Sequence, residues 1–124
     1  MKYGIGQALL VLRPGAEWNV TNDVYSGIEW LDKTQTKPTL EEVRTTLAVL
    51  NDEEPMRLLR IERDKRLTDS DWVVTKAIET GDMVSNVWKA YRQSLRDLPL
   101  SSSPKLDSYY NLDLNSVNWP TKPL

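Results

Sequence analysis

The chain has 124 residues, enough for one ordinary domain or two very small ones. Its formal net charge is −2 and its pI is near 5.2, so it lacks the concentrated basic field of nucleic-acid-binding proteins, and we expect no nucleic-acid partner. Cysteine and histidine are both absent, which excludes disulfides, thiolate nucleophiles, imidazole bases and the usual ligands of zinc or iron.

The first predicted element is a short apolar helix. Residues Ile5–Leu12 form an apolar run that Arg13, Pro14 and Gly15 end, although a strand is an alternative for so short a run. The run follows a single positive charge, as in a signal peptide, but it is too short and lacks a cleavage site. No other stretch approaches the roughly 20 apolar residues that cross a bilayer. We expect no membrane partner and a soluble product in the cytoplasm.

A small antiparallel hairpin is predicted next. Two short segments alternate apolar and polar side chains, with Trp18 and Val20 sharing one face of the first and Ile28 and Trp30 one face of the second. Polar residues at 21–23 separate the two segments and favour a turn.

The hairpin precedes a strong helix start, with Thr39 in the N-cap position and Glu42 as its capping-box partner. The apolar positions of this helix are Leu40, Val43, Leu47 and Leu50. We expect Asn51 and Asp52 to interrupt it. The first helix, the hairpin and this helix define a predicted N-terminal α-β-β-α module over residues 1–52.

Residues 53–99 form a predicted helical region. Pro55 is placed as the first-turn residue of a new helix capped by Asp52, and opposite charges then alternate as on a solvated helix face. Another short helix follows at about Trp72–Ile78, and Gly81 is in position to end it.

An aromatic helix closes this region, from about Met83 to Leu98, with Asp82 as its predicted cap. Its large apolar side chains share one face at helical spacing: Trp88, Tyr91, Leu95 and Leu98. An aromatic stripe of this kind usually packs inward. The alternative is that part of the face, Trp88 and Tyr91, grips a partner.

Residues 100–124 show no helical period and hold several prolines, which predicts an extended C-terminal arm. Trp119 with Pro120 is either a latch onto the chain's own domain or an exposed anchor for another protein. The alternating segment from Tyr109 to Leu114 is typical of a local hairpin or of an edge strand that adds to another chain. The candidate partner-binding residues are therefore Trp88, Tyr91, Tyr109, Tyr110, Leu112, Leu114, Trp119 and Pro120.

No catalytic cluster is predicted. The acidic pairs Glu41-Glu42, Glu53-Glu54 and Asp69 with Asp71 lie at predicted helix starts, where they complement the helix dipole. A carboxylate-dependent hydrolase would instead need two carboxylates that converge in a deep pocket. We therefore predict a non-enzymatic protein with no cofactor, no metal and no small-molecule substrate.

Four segments carry a resemblance, one of them more weakly. Residues 88–92, Trp-Lys-Ala-Tyr-Arg, and residues 118–123, Asn-Trp-Pro-Thr-Lys-Pro, resemble the C-terminal region of bacteriophage tail fibre assembly chaperones. The arginine-rich segment 59–72 is similar to the helix and Thr-Asp-x-Asp-Trp turn that precede that region in many phage versions. More weakly, residues 13–43 resemble a module at the start of some small phage tail-associated proteins.

The resemblance implies a function. Such a chaperone binds the distal part of a tail fibre polypeptide and helps it to fold and trimerise, and some relatives stay on the mature fibre. We therefore expect an α+β protein whose partner is a phage tail fibre protein in the host cytoplasm, with retention in the virion tail and homo-oligomerisation left open. The alternative is a permanent structural subunit of the tail fibre or baseplate, acting as a connector or tip cap.

Overall fold

The computed structural model describes residues 1–124 and has the predicted α+β class. The elements in chain order are α1 (Ile5–Leu12), β1 (Trp18–Val20), β2 (Ile28–Trp30), α2 (Leu40–Asp69), α3 (Asp71–Thr80) and α4 (Asn86–Ser101). Short 3-10 turns cover Tyr25–Gly27 and Leu114–Ser116. The chain divides into two compact units, Met1–Glu54 and Pro55–Leu124, which are described separately below.

The first unit contains the predicted hairpin. Strands β1 and β2 pair antiparallel, with Trp18 opposite Trp30 and Val20 opposite Ile28. The turn between them depends on Gly27, because a Cβ atom there would lie 2.1 Å from the Thr21 carbonyl oxygen. The hairpin prediction is confirmed.

The core of the first unit lies between α1, the hairpin and the start of α2. Its buried residues are Ile5, Ala8, Leu9, Ile28 and Val43. The apolar run at 5–12 is helical, as predicted, and the Asp23 carboxylate accepts a hydrogen bond from the Ile5 N–H at 2.7 Å, which satisfies one of the free donors at the start of α1.

Helix α2 begins with the predicted capping box. The Glu42 N–H donates to the Thr39 hydroxyl oxygen at 3.1 Å, and the Thr39 N–H donates to the Glu42 carboxylate at 3.1 Å. Two backbone donors that the helix itself cannot satisfy are thereby paired.

The predicted interruption of this helix at Asn51 and Asp52 is wrong, since α2 is continuous over 30 residues and Pro55 lies inside it. Asn51 is accommodated because its amide nitrogen donates to the Leu47 carbonyl at 2.9 Å and its oxygen accepts from the Tyr3 N–H at 3.1 Å. Both contacts satisfy a side chain that would otherwise favour a turn.

Glu54 is likewise a helix-interior residue, so its predicted place at a helix start is wrong. It is only 1% exposed, and its carboxylate accepts hydrogen bonds from the Lys2 ammonium at 3.3 Å and from the Tyr3 hydroxyl. A buried carboxylate is stable in the fold only with such partners.

In the second unit, a single residue, Ser70, separates α2 from α3. Helix α3 ends at Gly81, which has a left-handed φ of 73°, as predicted. Helix α4 begins at Asn86, after the Ser85 cap position, so the predicted start at Met83 is wrong. The predicted Asp82 cap is also wrong, because its carboxylate accepts from the Thr80 hydroxyl at 3.1 Å.

The end of α4 and the residues after it also differ from the prediction. The helix continues through Pro99 to Ser101, and the Ser102 hydroxyl donates to the Leu98 carbonyl at 2.6 Å. Residues 100–124 are not simply extended, because the chain returns to pack on the helices. The core cluster of this unit consists of Leu59, Leu98 and Val117, with Met56, Leu112 and Trp119 packed against it.

Candidate partner-binding surface

Three aromatic rings of the second unit form a continuous stack, which we call the aromatic edge: Trp72, Trp88 and Tyr91. The Trp72 and Trp88 rings meet edge to face at 5.7 Å, and the Trp88 and Tyr91 rings do the same at 5.8 Å. Exposure decreases along the row, from 53% for Trp72 through the half-buried Trp88 to 6% for Tyr91. Tyr91 therefore anchors the stack in the core, and Trp72 presents it to the surface.

Trp119 contacts its own unit. The Arg66 guanidinium lies 4.0 Å from the centre of its ring, and its indole N–H donates to the Leu114 carbonyl at 3.2 Å. The ring is half-buried beside the cluster that contains Val117. Of the two predicted alternatives for Trp119, the structure therefore has the first, in which the ring packs against the chain's own domain.

A second feature of the surface is a short hairpin over Lys105–Asp113, here called the C-terminal hairpin. The Asp113 N–H donates to the Lys105 carbonyl at 2.8 Å, and Leu106 bridges to Leu112. At its tip, the Asp107 carboxylate accepts the N–H groups of both Tyr109 and Asn111, at 2.8 and 3.0 Å. Of the two readings of this segment, the local hairpin is the one observed.

The tip of the C-terminal hairpin carries two tyrosines. Tyr109 is 82% exposed, and Tyr110 is also exposed and has a left-handed φ of 62°. A bulky residue rarely adopts that conformation, which costs about 1–2 kcal/mol. Since the surrounding hydrogen bonds hold the turn, the backbone that carries the two tyrosines has a defined conformation.

The predicted partner-binding residues thus fall into two groups. Those that are buried or half-buried within the second unit are Tyr91, Trp88, Leu112, Trp119 and Pro120. Those that are exposed are Tyr109, Tyr110 and Leu114. The first group packs within the unit, and the second lies on its surface.

Arg92 of α4 joins three elements, although nothing in the sequence singled it out. Its guanidinium donates to the Leu67 carbonyl at 2.9 Å, to the Ser70 hydroxyl at 2.6 Å and to the Asp71 carboxylate at 2.9 Å. It therefore fixes the junction of α2 and α3 against α4. The planar fork of arginine suits this role, and the sequence alone gave no signal of it.

No three carboxylates come close enough together to hold a metal ion. No helix is both long enough and apolar enough to span a membrane.

Two carboxylates of the first unit have lowered pKa values, and both are engaged in backbone contacts. The pKa of Asp32 lies below its ordinary value because the N–H groups of Gln35 and Glu17 donate to it. The pKa of Glu42 is lowered chiefly by the Thr39 N–H. Both shifts result from turn and cap hydrogen bonds, so they indicate structural roles.

Comparison with known proteins adds one finding. The family model for phage tail assembly chaperone protein matches residues 56–124, which is more than half of the chain. The match coincides with the second compact unit, Pro55–Leu124, except for its first residue. No curated protein and no solved structure matches the chain.

Proposed function

We propose that this chain, which belongs to the phage tail assembly chaperone protein family, binds a phage tail fibre polypeptide and assists its folding and trimerisation. A role in tail assembly follows from the family, and the fibre as partner is our proposal. One observation carries it: the family match and the exposed aromatic rings lie in the same compact unit.

The surface that we assign to the fibre consists of the C-terminal hairpin tip and the outer end of the aromatic edge. Tyr109, Tyr110 and Leu114 are exposed at or after the hairpin, and Trp72 is exposed on α3. Aromatic side chains suit a binding surface because each buries a large area and has few rotatable bonds, so little side-chain entropy is lost on contact. Tyr91 supports the aromatic edge through the ring stack, Leu112 pairs with Leu106 in the C-terminal hairpin, and the Trp119 indole donates to the Leu114 carbonyl.

The physical need for such a partner arises from the fibre. A chain that pairs its strands with other copies forms contacts that are distant in sequence, and these form slowly. Apolar surface and strand edges stay open in the meantime and favour aggregation. A chaperone that covers them until trimerisation is complete suppresses that competing reaction.

The test is co-expression with the tail fibre polypeptide of the same phage, scored as yield of soluble trimeric fibre. Removing residues 100–124 is unsuitable, because it would uncover Leu59 and Leu98 of the core cluster. The better variant is Tyr109→Ser with Tyr110→Asn, since asparagine tolerates the left-handed turn position. Leu10→Ala, on the exposed surface of the first unit, is the control.

We expect the hairpin variant to lower the yield of trimeric fibre and the Leu10 control to leave it unchanged. An unchanged yield with the hairpin variant would contradict the assigned surface. Purified phage particles provide a further readout, because a chaperone that acts only during assembly is absent from them. A fixed ratio of this protein to the fibre would instead identify a permanent structural subunit.

A further inference from the structure

The second unit has an open groove of about 560 Å³ between α3 and α4, here called the basic groove. Its apolar residues are Val74, Val84 and Ala90, and its cations are Lys89, Arg92 and Arg96. No carboxylate lines it. It is separate from the C-terminal hairpin, and none of the contacts described so far uses Lys89 or Arg96.

The three cations have different roles. Arg92 is half-buried and committed to the Leu67 carbonyl, Ser70 and Asp71. Lys89 and Arg96 are both exposed at the rim, and Arg96 also donates to the Gln93 side chain at 2.9 Å. Two of the three charges therefore face whatever enters the groove.

The unit that contains the groove also has a positive net charge, unlike the first unit. Residues 55–124 contain eleven Lys and Arg against nine Asp and Glu, whereas residues 1–54 contain five against nine. A positive groove with an apolar floor in a positive unit is complementary to a segment that combines carboxylates with an aliphatic side chain.

The distance between Lys89 and Arg96 indicates which conformation the bound segment would have. Lys89 and Arg96 are seven residues apart on α4, which is about 10 Å along the axis. In an extended strand, residues i, i+2 and i+4 share a face and span about 13 Å. Flexible lysine and arginine side chains can bridge the small difference.

We propose that the basic groove binds an extended acidic segment of the partner polypeptide, with carboxylates at i and i+4 on Lys89 and Arg96 and an aliphatic residue at i+2 on Val74, Val84 and Ala90. This rests on the proposed function only for the identity of the partner. The groove itself is tested with a synthetic peptide, so its failure is distinguishable from failure of the fibre assignment.

The probe is the capped peptide Thr-Asp-Thr-Leu-Thr-Asp-Thr, titrated into the full chain and followed by methyl NMR. We expect saturable shifts at Val74, Val84 and Ala90. Binding should weaken about tenfold when both aspartates become asparagine, since two screened ion pairs are lost. It should also weaken when the leucine becomes serine, and it should decrease with added salt.

The matched protein variants are Lys89→Gln with Arg96→Gln, expected to lose the shifts, and Lys65→Gln, an exposed lysine of α2 outside both the groove and the C-terminal hairpin, expected to keep them. Thermal unfolding of each variant checks that the fold is intact. Equal binding of the asparagine peptide would overturn the proposal, as would shifts confined to the hairpin. Tighter binding of a single-stranded oligonucleotide, or a self-association that the Gln variants abolish, would assign the groove to another occupant.

Discussion

The two compact units differ in where their aromatic rings lie. In Met1–Glu54 all the aromatic rings are half-buried, and Trp18, Tyr25 and Trp30 pack against the core. In Pro55–Leu124 the rings are distributed from the buried Tyr91 to the exposed Trp72 and Tyr109. The second unit thus exposes aromatic surface and the first does not, so we expect a partner to bind the second unit.

The largest effect should follow from Gly27→Ala in the first unit. The new methyl group would overlap the Thr21 carbonyl oxygen, which is backbone and cannot rotate away, so the hairpin should open at a cost of about 3 kcal/mol or more. Indole N–H signals report on both units at once. Those of Trp18 and Trp30 should move to unfolded positions, and that of Trp119 should stay dispersed.

Gly15→Ala is the control for this comparison. Gly15 has a φ of 78°, but nothing lies within 4 Å of its added Cβ atom, so only the strain of about 1 kcal/mol is expected. Simultaneous loss of the dispersed Trp119 signal in Gly27→Ala would show that the two units unfold together and are not independent.

The next prediction compares the loss of stability when a ring that packs within the second unit is removed with the loss when an exposed ring is removed. Trp119→Ala removes a half-buried ring from the core cluster and its stacking with Arg66, and we expect a loss of about 2–3 kcal/mol. Tyr109→Ala removes an exposed ring and should change the stability by less than about 0.5 kcal/mol. Urea unfolding measures both. A larger loss for Tyr109 than for Trp119 would reverse the assigned roles.

Arg92→Gln should have a smaller effect. It removes the guanidinium contacts with Leu67, Ser70 and Asp71 and leaves the buried Ser70 hydroxyl with one partner fewer, at a cost of about 1–2 kcal/mol. Lys89→Gln, one turn earlier on the exposed side, serves as the control and should be nearly neutral in urea unfolding. Equal stability of the two variants would mean that the junction does not depend on Arg92.

The smallest expected effect is a loss of stability of the first unit at low pH. Because their pKa values are lowered from 3.8 and 4.5 in the fold, Asp32 and Glu42 contribute stability that is present above those values and is lost as the pH falls through the lowered ones. The first unit should therefore weaken below about pH 4. The Trp30 indole signal, whose N–H donates to the Gln35 carbonyl, reports this loss.

Asp32→Asn provides the check on this acid effect. The variant cannot lose a proton there, so the stability of the first unit should depend less steeply on pH in the acid range. An unchanged pH profile would show that the turn around Asp32 does not stabilise the unit through its charge.

Local signals in the sequence predicted much of the fold. The apolar run of α1, the alternation in β1 and β2, the Thr39 capping box and the glycine at 81 each depend on residues close in sequence. The continuity of α2 could not be predicted in this way. It depends on Asn51 and Glu54 meeting Tyr3 and Lys2, some fifty residues away.

For the second unit, the sequence predicted which residues of α4 are buried but not the contacts between distant residues. Helical spacing correctly placed Tyr91, Leu95 and Leu98 on one buried face. It gave no sign that Arg66 stacks on Trp119 or that Arg92 braces the end of α2, since each contact joins residues more than twenty positions apart. Only the folded structure shows which aromatic rings pack within the unit and which are exposed.

The proposed function requires the second unit to contact the fibre through its exposed aromatic surface. Hydrogen exchange of the full chain, with and without the tail fibre polypeptide of the same phage, tests it most directly. We predict added protection at Lys105–Asp113 and at the start of α3, with residues 1–54 unchanged. Protection confined to residues 1–54, or no change anywhere in a complex that demonstrably forms, would contradict the account.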